Sequence, residues 1–322
     1  GMKYVVVGAG ATGAVIGAFF ALAGEEVWLV DPYEAHMRAC AERGLIMHPA
    51  GYEAGAEVRE YVVPVHATTV AEEAGIADVV VFMPKGSANR IAMESVVKLC
   101  DSHTLVLTLQ NGLGHTDVIA EHIAPDRIAY GITTIASGMP APGVVEPRMP
   151  AEKQIWIGSD YPENRALLEQ IAATLRAGGV DANVDEMIKA HVWEMFALNC
   201  AGNATMALLR LNARQAATSQ DYMDVREEVL HEIDRIAAAK GIHLDPTVVY
   251  GLGDKAVPME GSFLPESYTS MAQDVMHHRR TEVEYLNLAA VREAESVGMK
   301  APFNECLGKM IRALEQTYEM QF

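Results

Sequence analysis

The feature that most constrains this chain is a run of twenty uncharged residues, Val5 to Gly24 (VVVGAGATGAVIGAFFALAG). On length and hydrophobicity alone, such a run fits a membrane span or the core of a signal peptide. Its five glycines argue against both, since they would weaken an isolated membrane helix. Three of them spell GxGxxG directly after the apolar stretch Tyr4–Val7. The run therefore predicts a strand, a glycine-rich turn and a buried helix.

A second apolar stretch, Val27–Val30, follows this helix and ends in Asp31. Strand, glycine-rich turn, apolar helix, strand and terminal acid are together typical of the βαβ unit that binds a dinucleotide. The first glycine permits a tight turn, the second lets the backbone approach a pyrophosphate, and the third lets the helix pack close to the sheet. The alternative is a glycine-rich turn inside an ordinary βα unit. The predicted cofactor-binding residues of the turn are Gly8, Ala9, Gly10, Ala11, Thr12 and Gly13.

Asp31 bears on which cofactor is bound. A carboxylate at the end of the second strand accepts hydrogen bonds from the adenosine ribose of NAD and repels the 2′-phosphate of NADP. No arginine lies between Pro32 and Met37 to accommodate that phosphate. The sequence thus predicts NAD or NADP and favours NAD. The alternative role for Asp31, a cap on the following helix, leaves the preference open.

Composition narrows the range of partners. Lys and Arg number 25 against 43 Asp and Glu, so the formal net charge is −18. Nucleic-acid binding is disfavoured because it requires concentrated positive charge. The four cysteines are widely spaced and form no CxxC pair, so neither a zinc site nor a disulfide framework is predicted. We expect a cytoplasmic protein without a metal site or a membrane partner.

Apolar stretches recur after Asp31, with helical or turn sequence between them. They lie near residues 78–82, 104–109, 128–135, 155–157 and 180–184. Continuous apolar strands that alternate with helices predict a mainly parallel sheet covered on both faces. The segment 137–150, with four prolines and two glycines, is predicted to be a loop that links a hairpin at the sheet edge.

From about Asp185 onward, amphipathic helical patterns replace the strands. Helices are predicted near 186–212, 219–240, 246–254, 268–298 and 302–319, with breaks at Gly241 and over 258–265. The predicted fold class is α/β, with a Rossmann-type doubly wound domain over residues 1–184. A mainly α-helical C-terminal domain follows over residues 185–322. A homodimer through the long C-terminal helices is compatible with this pattern.

Two loops follow strands at the carboxyl edge of the predicted sheet, where ligands of open α/β sheets bind. Lys85 lies in the first loop (PKGSAN) and Asn111 in the second (QNGLG). Lys85 is expected to hold a substrate carboxylate or a cofactor phosphate, and Asn111 to contact the ribose or the nicotinamide side. The alternatives are a solvated lysine and an ordinary Asn-Gly turn.

The first helix of the second domain carries His191, Met195, Asn199 and Asn203 at intervals of four, on one face. Most of its other residues are apolar, so amides at 199 and 203 need partners if they are buried. A substrate with hydroxyl and oxo groups supplies such partners. Amide bonding between helices is the alternative.

Near the C-terminus, Ser270 and Gln273 fit a capping box, which explains Ser270 as well as substrate binding does. Glu282 follows two arginines at 279 and 280. It is either part of a solvated charge cluster or, if buried, an acceptor for substrate hydroxyls.

These motifs, in this order along nearly the whole chain, resemble those of the ketopantoate reductase family. They are GAGATG, Lys85, LQNGLG, the helix with Trp193, Asn199 and Asn203, and SMAQDVMHHRRTEVEYLN. The resemblance implies hydride transfer from a nicotinamide to the C2 ketone of a branched 2-oxo acid. It also implies that Lys85 and Asn111 contact cofactor and substrate. By the same resemblance, the residues that bind the substrate's hydroxyl, oxo and carboxylate groups are Asn199, Asn203, Ser270 and Glu282.

Two positions depart from the family pattern. Family members typically use NADPH and carry a basic residue after the second strand, where this chain has Asp31. In the family the helix reads Trp-x-Lys, and that lysine is the general acid, whereas here Met195 stands in its place. A thioether cannot donate a proton, and loss of a positioned acid typically slows a reaction about 10²- to 10⁴-fold. His191 and Lys85 are the candidate replacements, and with Glu282 they are the predicted catalytic residues.

The leading hypothesis is an NAD(P)H-dependent oxidoreductase that converts a small anionic 2-oxo acid into a 2-hydroxy acid. Ketopantoate, the precursor of pantoate in pantothenate biosynthesis, is the substrate that the family resemblance implies. One alternative is an altered or silent NAD(P)-binding homologue, with another 2-oxo acid substrate or a sensor role. Another is a dehydrogenase of a neighbouring family, of the 6-phosphogluconate or hydroxyacyl type.

Overall fold

The computed structural model of the chain describes residues 1–48, 60–251 and 266–322. They form two compact units. Unit 1 comprises Gly1–Gln110 and His115–Ile188, and unit 2 comprises Asn111–Gly114 and Lys189–Phe322. No helix in these described ranges is long and apolar enough to cross a membrane.

The strands all lie in the N-terminal part of the described chain. In chain order they are β1 (Lys3–Val7), β2 (Glu26–Val30), β3 (Leu45–Met47), β4 (Tyr61–Val63), β5 (His66–Thr68), β6 (Val79–Phe82), β7 (Leu105–Thr108), β8 (Ile128–Thr133), β9 (Ala136–Ala141), β10 (Val144–Arg148), β11 (Ile155–Gly158) and β12 (Ala182–Val184). Eight of them form one sheet in the order β12-β11-β8-β7-β6-β1-β2-β5. Every neighbouring pair is parallel except β8 and β11.

Helices complete both units. In chain order they are α1 (Ala11–Leu22), α2 (Glu34–Arg43), α3 (Asn89–Leu99), α4 (His115–Ala120), α5 (Arg165–Ala177), α6 (Ile188–Leu209), α7 (Ala213–Ala216), α8 (Gln220–Ala239), α9 (Pro246–Val249), α10 (Ser270–Met276), α11 (Asn287–Ser296) and α12 (Pro302–Gln316). In the main sheet the chain runs from β1 outward through β2 to β5, then crosses to β6 on the other side of β1 and continues through β7 and β8, which is the doubly wound topology. The predicted fold class, a Rossmann-type unit followed by a helical one, is confirmed.

Helix α1 explains the uncharged run at the start of the chain. Its residues from Gly13 to Phe20 are all buried, so the helix has no solvent-facing stripe. It packs on β1 and β2 of the main sheet and also on β9 and β10, which belong to a second sheet of order β4-β3-β10-β9. A helix covered on opposite sides must be apolar on every side.

The prediction of a loop over residues 137–150 is wrong. This segment itself forms β9 and β10, an antiparallel hairpin that turns at Gly143, whose φ is +76°. Pro140 lies in the edge strand β9, where its missing N–H costs no ladder hydrogen bond. Val145 on β10 is fully buried against α1's side of the core, so burial prevails over the proline content.

The prediction of one helix over residues 268–298 is also wrong. The chain forms α10, leaves the helix after Met276, makes a short 3₁₀ turn at Val283–Tyr285 and then begins α11. His278 takes a left-handed conformation with φ 54°, which a continuing helix does not permit. The Tyr318 hydroxyl donates to the carbonyl of Arg279 at 2.7 Å and fixes the break. Tertiary contacts therefore end a helix that the local sequence favours.

The other predicted helices of unit 2 are present with shifted ends. Ser219 caps α8 by accepting a hydrogen bond from the Tyr222 N–H, and Gly241 ends that region with φ +77°. Helix α9 is shorter than predicted, since it ends at Val249. Residues 252–254 of the predicted helix and the predicted break at 258–265 lie outside the described residues.

A buried polar network ties four helices of unit 2 together. Glu232 on α8 is 2% exposed, and its carboxylate accepts hydrogen bonds from the N–H groups of Phe303 and Asn304 in the first turn of α12. The Asn304 side chain also donates to Glu232, at 2.9 Å, and accepts from Asn287 of α11 at 3.0 Å. Asn287 donates in addition to the carbonyl of Cys200 on α6. A negative charge at a helix N-terminus stabilises the amide groups left without partners there.

We expect Glu232→Gln to destabilise the protein by about 2 kcal/mol, because the amide group places a donor against backbone N–H groups inside the core. Urea denaturation followed by circular dichroism measures the change. Glu228→Gln, one turn earlier and exposed on the same helix, removes the same charge and serves as the control. Equal stability of the two variants would contradict a capping role for Glu232.

Candidate active site

The glycine-rich turn lies between β1 and α1 and is packed so closely that only glycine fits at two of its positions. Gly8 has φ +88°, and a Cβ there would stand 2.3 Å from the backbone nitrogen of Pro84. A Cβ on Gly13 would stand 2.4 Å from the carbonyl oxygen of Gly8. The N–H of Gly8 donates to the carbonyl of Val30 at 3.0 Å, which ties the turn to the end of β2.

Gly10 differs from its neighbours because a Cβ there would meet nothing within 4 Å. It is the N-cap of α1, and no side chain caps the first turn, which also carries no acid. The first N–H groups of a helix have no partner within the helix and carry partial positive charge. Open space in front of uncapped amide groups fits a pyrophosphate, so the residues present suit a dinucleotide.

Asp31 lies directly after β2 and is half-buried. Its Oδ2 accepts a hydrogen bond from the Tyr33 N–H at 2.9 Å, and Tyr33, not Asp31, is the N-cap of α2. The alternative of Asp31 as the helix cap is therefore wrong. Burial raises the pKa of Asp31, while the Tyr33 N–H and the nearby His36 act to lower it.

His36 on α2 is a buried residue of this region that the sequence did not single out. Its Nδ1 accepts a hydrogen bond from the Gly143 N–H at 2.8 Å, which leaves the ring proton on Nε2. Burial lowers the pKa of His36, and the Asp31 carboxylate and the backbone of Ala9 act in the opposite direction. A neutral imidazole thus lies near both the glycine turn and Asp31.

Lys85 is exposed and follows Pro84 in the loop after β6. Since Pro84 touches the turn at Gly8, this loop and the glycine turn lie side by side, as the carboxyl ends of neighbouring parallel strands should. The Gln110 side chain, after β7, donates to the Pro84 carbonyl at 2.6 Å. Unit 1 therefore brings together the Gly8–Gly13 turn, Asp31 and the loop that carries Lys85.

Gln110 belongs to a polar network that orients this edge of the sheet. The Thr108 hydroxyl donates to Gln110 Oε1 at 2.7 Å, so the Gln110 amide nitrogen faces Asn89 Oδ1 at 2.9 Å. Asn89 must then present its own amide nitrogen to His115 Nδ1, 2.9 Å away. Asn89 and His115 are both buried. The sequence analysis singled out Asn111, but the side chain that holds the Lys85 loop is that of the preceding residue, Gln110.

Asn111 is exposed and begins the short segment that belongs to unit 2. Gly112 follows with φ +100°, and a Cβ there would stand 2.2 Å from the carbonyl oxygen of Tyr285. The Leu113 N–H donates to that same carbonyl at 2.9 Å. Glycine is required at this position because the two backbones meet directly. Two motifs distant in sequence, QNGLG and RRTEVEYLN, are thereby joined.

The polar face of α6 is present. His191 is exposed, while Met195, Asn199 and Asn203 are half-buried at successive turns. The pKa of Asp245 is lowered mainly by hydrogen bonds from Thr247, and His191 contributes to the same effect.

The predicted capping role of Ser270 is wrong. Thr269 is the N-cap of α10 and accepts a hydrogen bond from the Ala272 N–H, whereas Ser270 is exposed in the first turn. Gln273 donates its side-chain amide to the carbonyl of Tyr268. Thr269 and Ser270 are both residue types that cap helices. Thr269 is buried, and its packing places it, and not Ser270, at the N-cap position. The Ser270 hydroxyl is thereby released from capping.

Glu282 is half-buried and directly precedes the 3₁₀ turn at Val283–Tyr285. Two neighbouring acids form ion pairs: Arg279 pairs with Asp274 at 2.9 Å, and Arg292 pairs with Glu284 at 3.1 Å. Glu284 also pairs with Arg312. Among the residues described, no group of three or more His, Cys, Asp or Glu side chains is placed to hold a metal ion.

Comparison with known proteins gives two adjoining family matches. The family described as Ketopantoate reductase PanE/ApbA matches residues 4–160, and its C-terminal family matches residues 187–315. A 2-dehydropantoate 2-reductase of Streptococcus pyogenes is 27% identical, with 99% of this chain and 100% of that protein covered. One of Pyrococcus abyssi is 30% identical, with 98% of each covered.

Solved structures of similar proteins have the same fold as this chain. A ketopantoate reductase from Ralstonia eutropha superposes with a TM-score of 0.83 at 26% identity, covering 99% of this chain and 100% of that one. A D-mandelate dehydrogenase with NADH and anilino(oxo)acetate has the same fold, with a TM-score of 0.87 at 24% identity over 99% and 100% of the two chains. With both halves matched, the chain belongs to the ketopantoate reductase family of nicotinamide-dependent oxidoreductases.

Proposed function

We propose that this protein is an NADH-dependent reductase of a small branched 2-oxo acid, with ketopantoate as the first substrate to test. The observation that carries the proposal is the uncapped N-terminus of α1, where Gly10 leaves open space beside the turn and Asp31 ends the next strand. A reduced nicotinamide dinucleotide, when bound, supplies the hydride. Its pyrophosphate would be held by the amide groups from Ala11 to Gly13.

The preference for NADH rests on charge. Asp31 is a carboxylate, and the one nearby imidazole, that of His36, has its Nδ1 occupied as an acceptor and its pKa lowered by burial. Neither group offers a positive charge to a 2′-phosphate. Two like charges 4 Å apart repel by roughly 1 kcal/mol in water and about 4 kcal/mol at an effective dielectric constant near 20. Asp31 therefore favours a ribose hydroxyl over a phosphate.

Substrate binding is assigned to unit 2. Asn199 and Asn203 lie at successive turns of α6 and offer amide donors and acceptors to hydroxyl and oxo groups. The Ser270 hydroxyl, which is not used as a cap, and the Glu282 carboxylate provide further polar contacts. Asn111 would contact the cofactor or the substrate from the segment fixed on Tyr285.

Protonation of the forming alkoxide cannot come from Met195. Lys85, in the loop beside the glycine turn, and His191, one turn before Met195 on α6, are the proposed donors. Substitution distinguishes the two, since only the variant that lacks the true donor loses the proton-transfer step.

The second candidate function, a cofactor-binding homologue without reductase activity, is favoured by Met195 alone. It shares the dinucleotide site and differs only in chemistry. Turnover, not binding, distinguishes the two.

Purified protein should oxidise NADH with at least one member of a panel that contains pyruvate, 2-oxobutanoate, 2-oxo-3-methylbutanoate, ketopantoate and phenylglyoxylate. The loss of NADH absorbance measures turnover, and chromatography identifies the 2-hydroxy acid. Lys85→Gln and His191→Gln should each be compared at several pH values. The variant that lacks the true donor should lose about 10²-fold or more in kcat. Tight NADH binding with no turnover of any acid would instead indicate the silent homologue.

Met195→Lys should raise kcat with ketopantoate about tenfold or more if the chain is a reductase that has lost its general acid. Met187→Lys, at an exposed position before α6, adds the same charge and should change nothing. An unchanged rate with ketopantoate, in a protein already active on another acid, would indicate altered specificity.

Gly10→Ala should leave the melting temperature of the ligand-free protein unchanged and weaken NADH binding about tenfold, because the added methyl group occupies the open space at the helix N-terminus. Gly13→Ala should lower the melting temperature, because its Cβ clashes with the Gly8 carbonyl. Gly138→Ala, where a Cβ also meets nothing, is the control for both. NADH fluorescence titration and thermal denaturation supply the two readouts.

Asp31→Ser should improve the affinity for NADPH relative to NADH by about tenfold or more, because the repulsion of the 2′-phosphate is removed. Titrations with both cofactors give the ratio of dissociation constants. Glu34→Gln removes an exposed acid three residues further on and should leave that ratio unchanged. A ratio that Asp31→Ser does not move would overturn the assignment of NAD specificity to this carboxylate.

A further inference from the structure

Arg226 on α8 is the only arginine or lysine among the described residues that is buried, at 6% exposure. It forms no hydrogen bond and no ion pair with any described residue, and its Nη2 is wholly enclosed without a partner. Burial lowers the pKa of Arg226, and only Tyr222, one turn earlier, acts in the opposite direction. The chain has a net charge of −18 and 43 acidic residues, yet this cation pairs with no acid among the residues that the structure describes.

Burial of an unpaired charge is unfavourable in free energy. A charge taken out of water must be paired or hydrogen-bonded, and an arginine does not become neutral by losing its proton. Other arginines of unit 2 are paired: Arg279, Arg292 and Arg312 form ion pairs with acids. A buried guanidinium without an internal partner is expected where an anionic ligand completes the site.

One contact places the start of α8 beside α6. The Tyr222 hydroxyl lies 3.0 Å from the position that a Cβ on Gly202 would take. Arg226 stands one turn after Tyr222 on α8.

Gly202 is next to Asn203 and close to Asn199, two of the substrate residues proposed above. A second buried polar atom without a partner in the described chain, the Thr205 hydroxyl, lies on the same helix. Unit 2 therefore places a buried cation that has no partner among the described residues on α8, one turn after the residue that packs beside this part of α6.

We propose that Arg226 is the carboxylate-binding residue of this protein, and that its guanidinium donates hydrogen bonds to the carboxylate of the small 2-oxo acid. The planar fork of guanidinium N–H groups matches the two oxygens of a carboxylate and holds the charge at a fixed position. This inference rests on the proposed function and deepens it, since it assigns the anionic end of the substrate to a residue of α8. Arg226 binds and orients the substrate and does not supply the proton, which an arginine retains.

The first test measures binding without turnover. In the presence of NADH, oxamate, a carboxylate analogue of 2-oxo acids, should raise the melting temperature of the wild type, and the neutral ethyl oxamate should not. Arg226→Met should abolish the shift, whereas Arg235→Met, at an exposed arginine of the same helix, should keep it. Protection of Arg226→Met by oxamate equal to that of the wild type would overturn the proposal. Protection by inorganic phosphate but not oxamate, lost in the variant, would overturn the carboxylate as ligand.

Stability without ligand is a second readout. Because the buried cation has no partner within the described chain, Arg226→Met should melt at the same temperature as the wild type or higher. A melting temperature several degrees lower would show that Arg226 serves the fold, and would overturn the proposal. If Arg226→Met does not fold, the oxamate comparison is made with Arg226→Lys, which keeps the charge but lacks the planar fork: weaker protection than in the wild type supports the proposal, and equal protection overturns it.

The third test uses the best 2-oxo acid of the panel and its methyl ester. Arg226→Met should lower kcat/KM for the acid roughly 30-fold or more, mainly through KM, since a buried charge pair is lost. It should leave the value for the ester within about threefold and NADH affinity unchanged. If the wild type reduces no 2-oxo acid but Arg226→Met still abolishes oxamate binding, the proposed function fails and the anion site stands. If the acid is reduced equally well by both, the reductase function stands and the Arg226 proposal fails.

Discussion

The close contact between backbone segments around Gly8 is the constraint on which unit 1 depends. Gly8 touches Pro84, and Gly13 touches the carbonyl of Gly8, at separations that allow no side chain. These contacts set the distance between β1, α1 and the loop after β6, and thereby bring the Lys85 loop beside the helix N-terminus. A larger residue at either position would separate the elements that form the cofactor site.

Unit 2 contains two buried charged side chains on α8, Glu232 and Arg226, whose surroundings differ. Glu232 is enclosed, yet its carboxylate accepts three hydrogen bonds from the start of α12, so the charge stabilises the fold. Arg226, on the same helix, is enclosed and has no such partners in the described ranges. The first arrangement is complete within the chain. The second is complete only with an anion, which is why we assign it to ligand binding.

Much of the fold followed from local patterns. The βαβ unit at the N-terminus, the parallel strands and the change to helices after Asp185 are visible because strands and helices have different periodicities and because glycine marks the turn. The hairpin over 137–150 and the break after Met276 were not visible. In both, tertiary contacts outweighed the local preference: burial of Val145 overrode prolines, and the Tyr318 hydroxyl fixed a left-handed residue after a helix-forming segment.

The candidate site residues likewise fall into those found from the sequence and those found only from the tertiary structure. Residue types and spacing identified the glycine turn and the acid at Asp31, and the family resemblance identified Met195 as a departure from the family's lysine. Only the tertiary structure decided which polar residues lack partners. Arg226 reads as one more charge on an amphipathic helix, and its burial without an acid depends on what packs around α8. The tertiary structure likewise explains the uncharged run at Val5–Gly24, since α1 packs against two sheets and its residues from Gly13 to Phe20 are all buried.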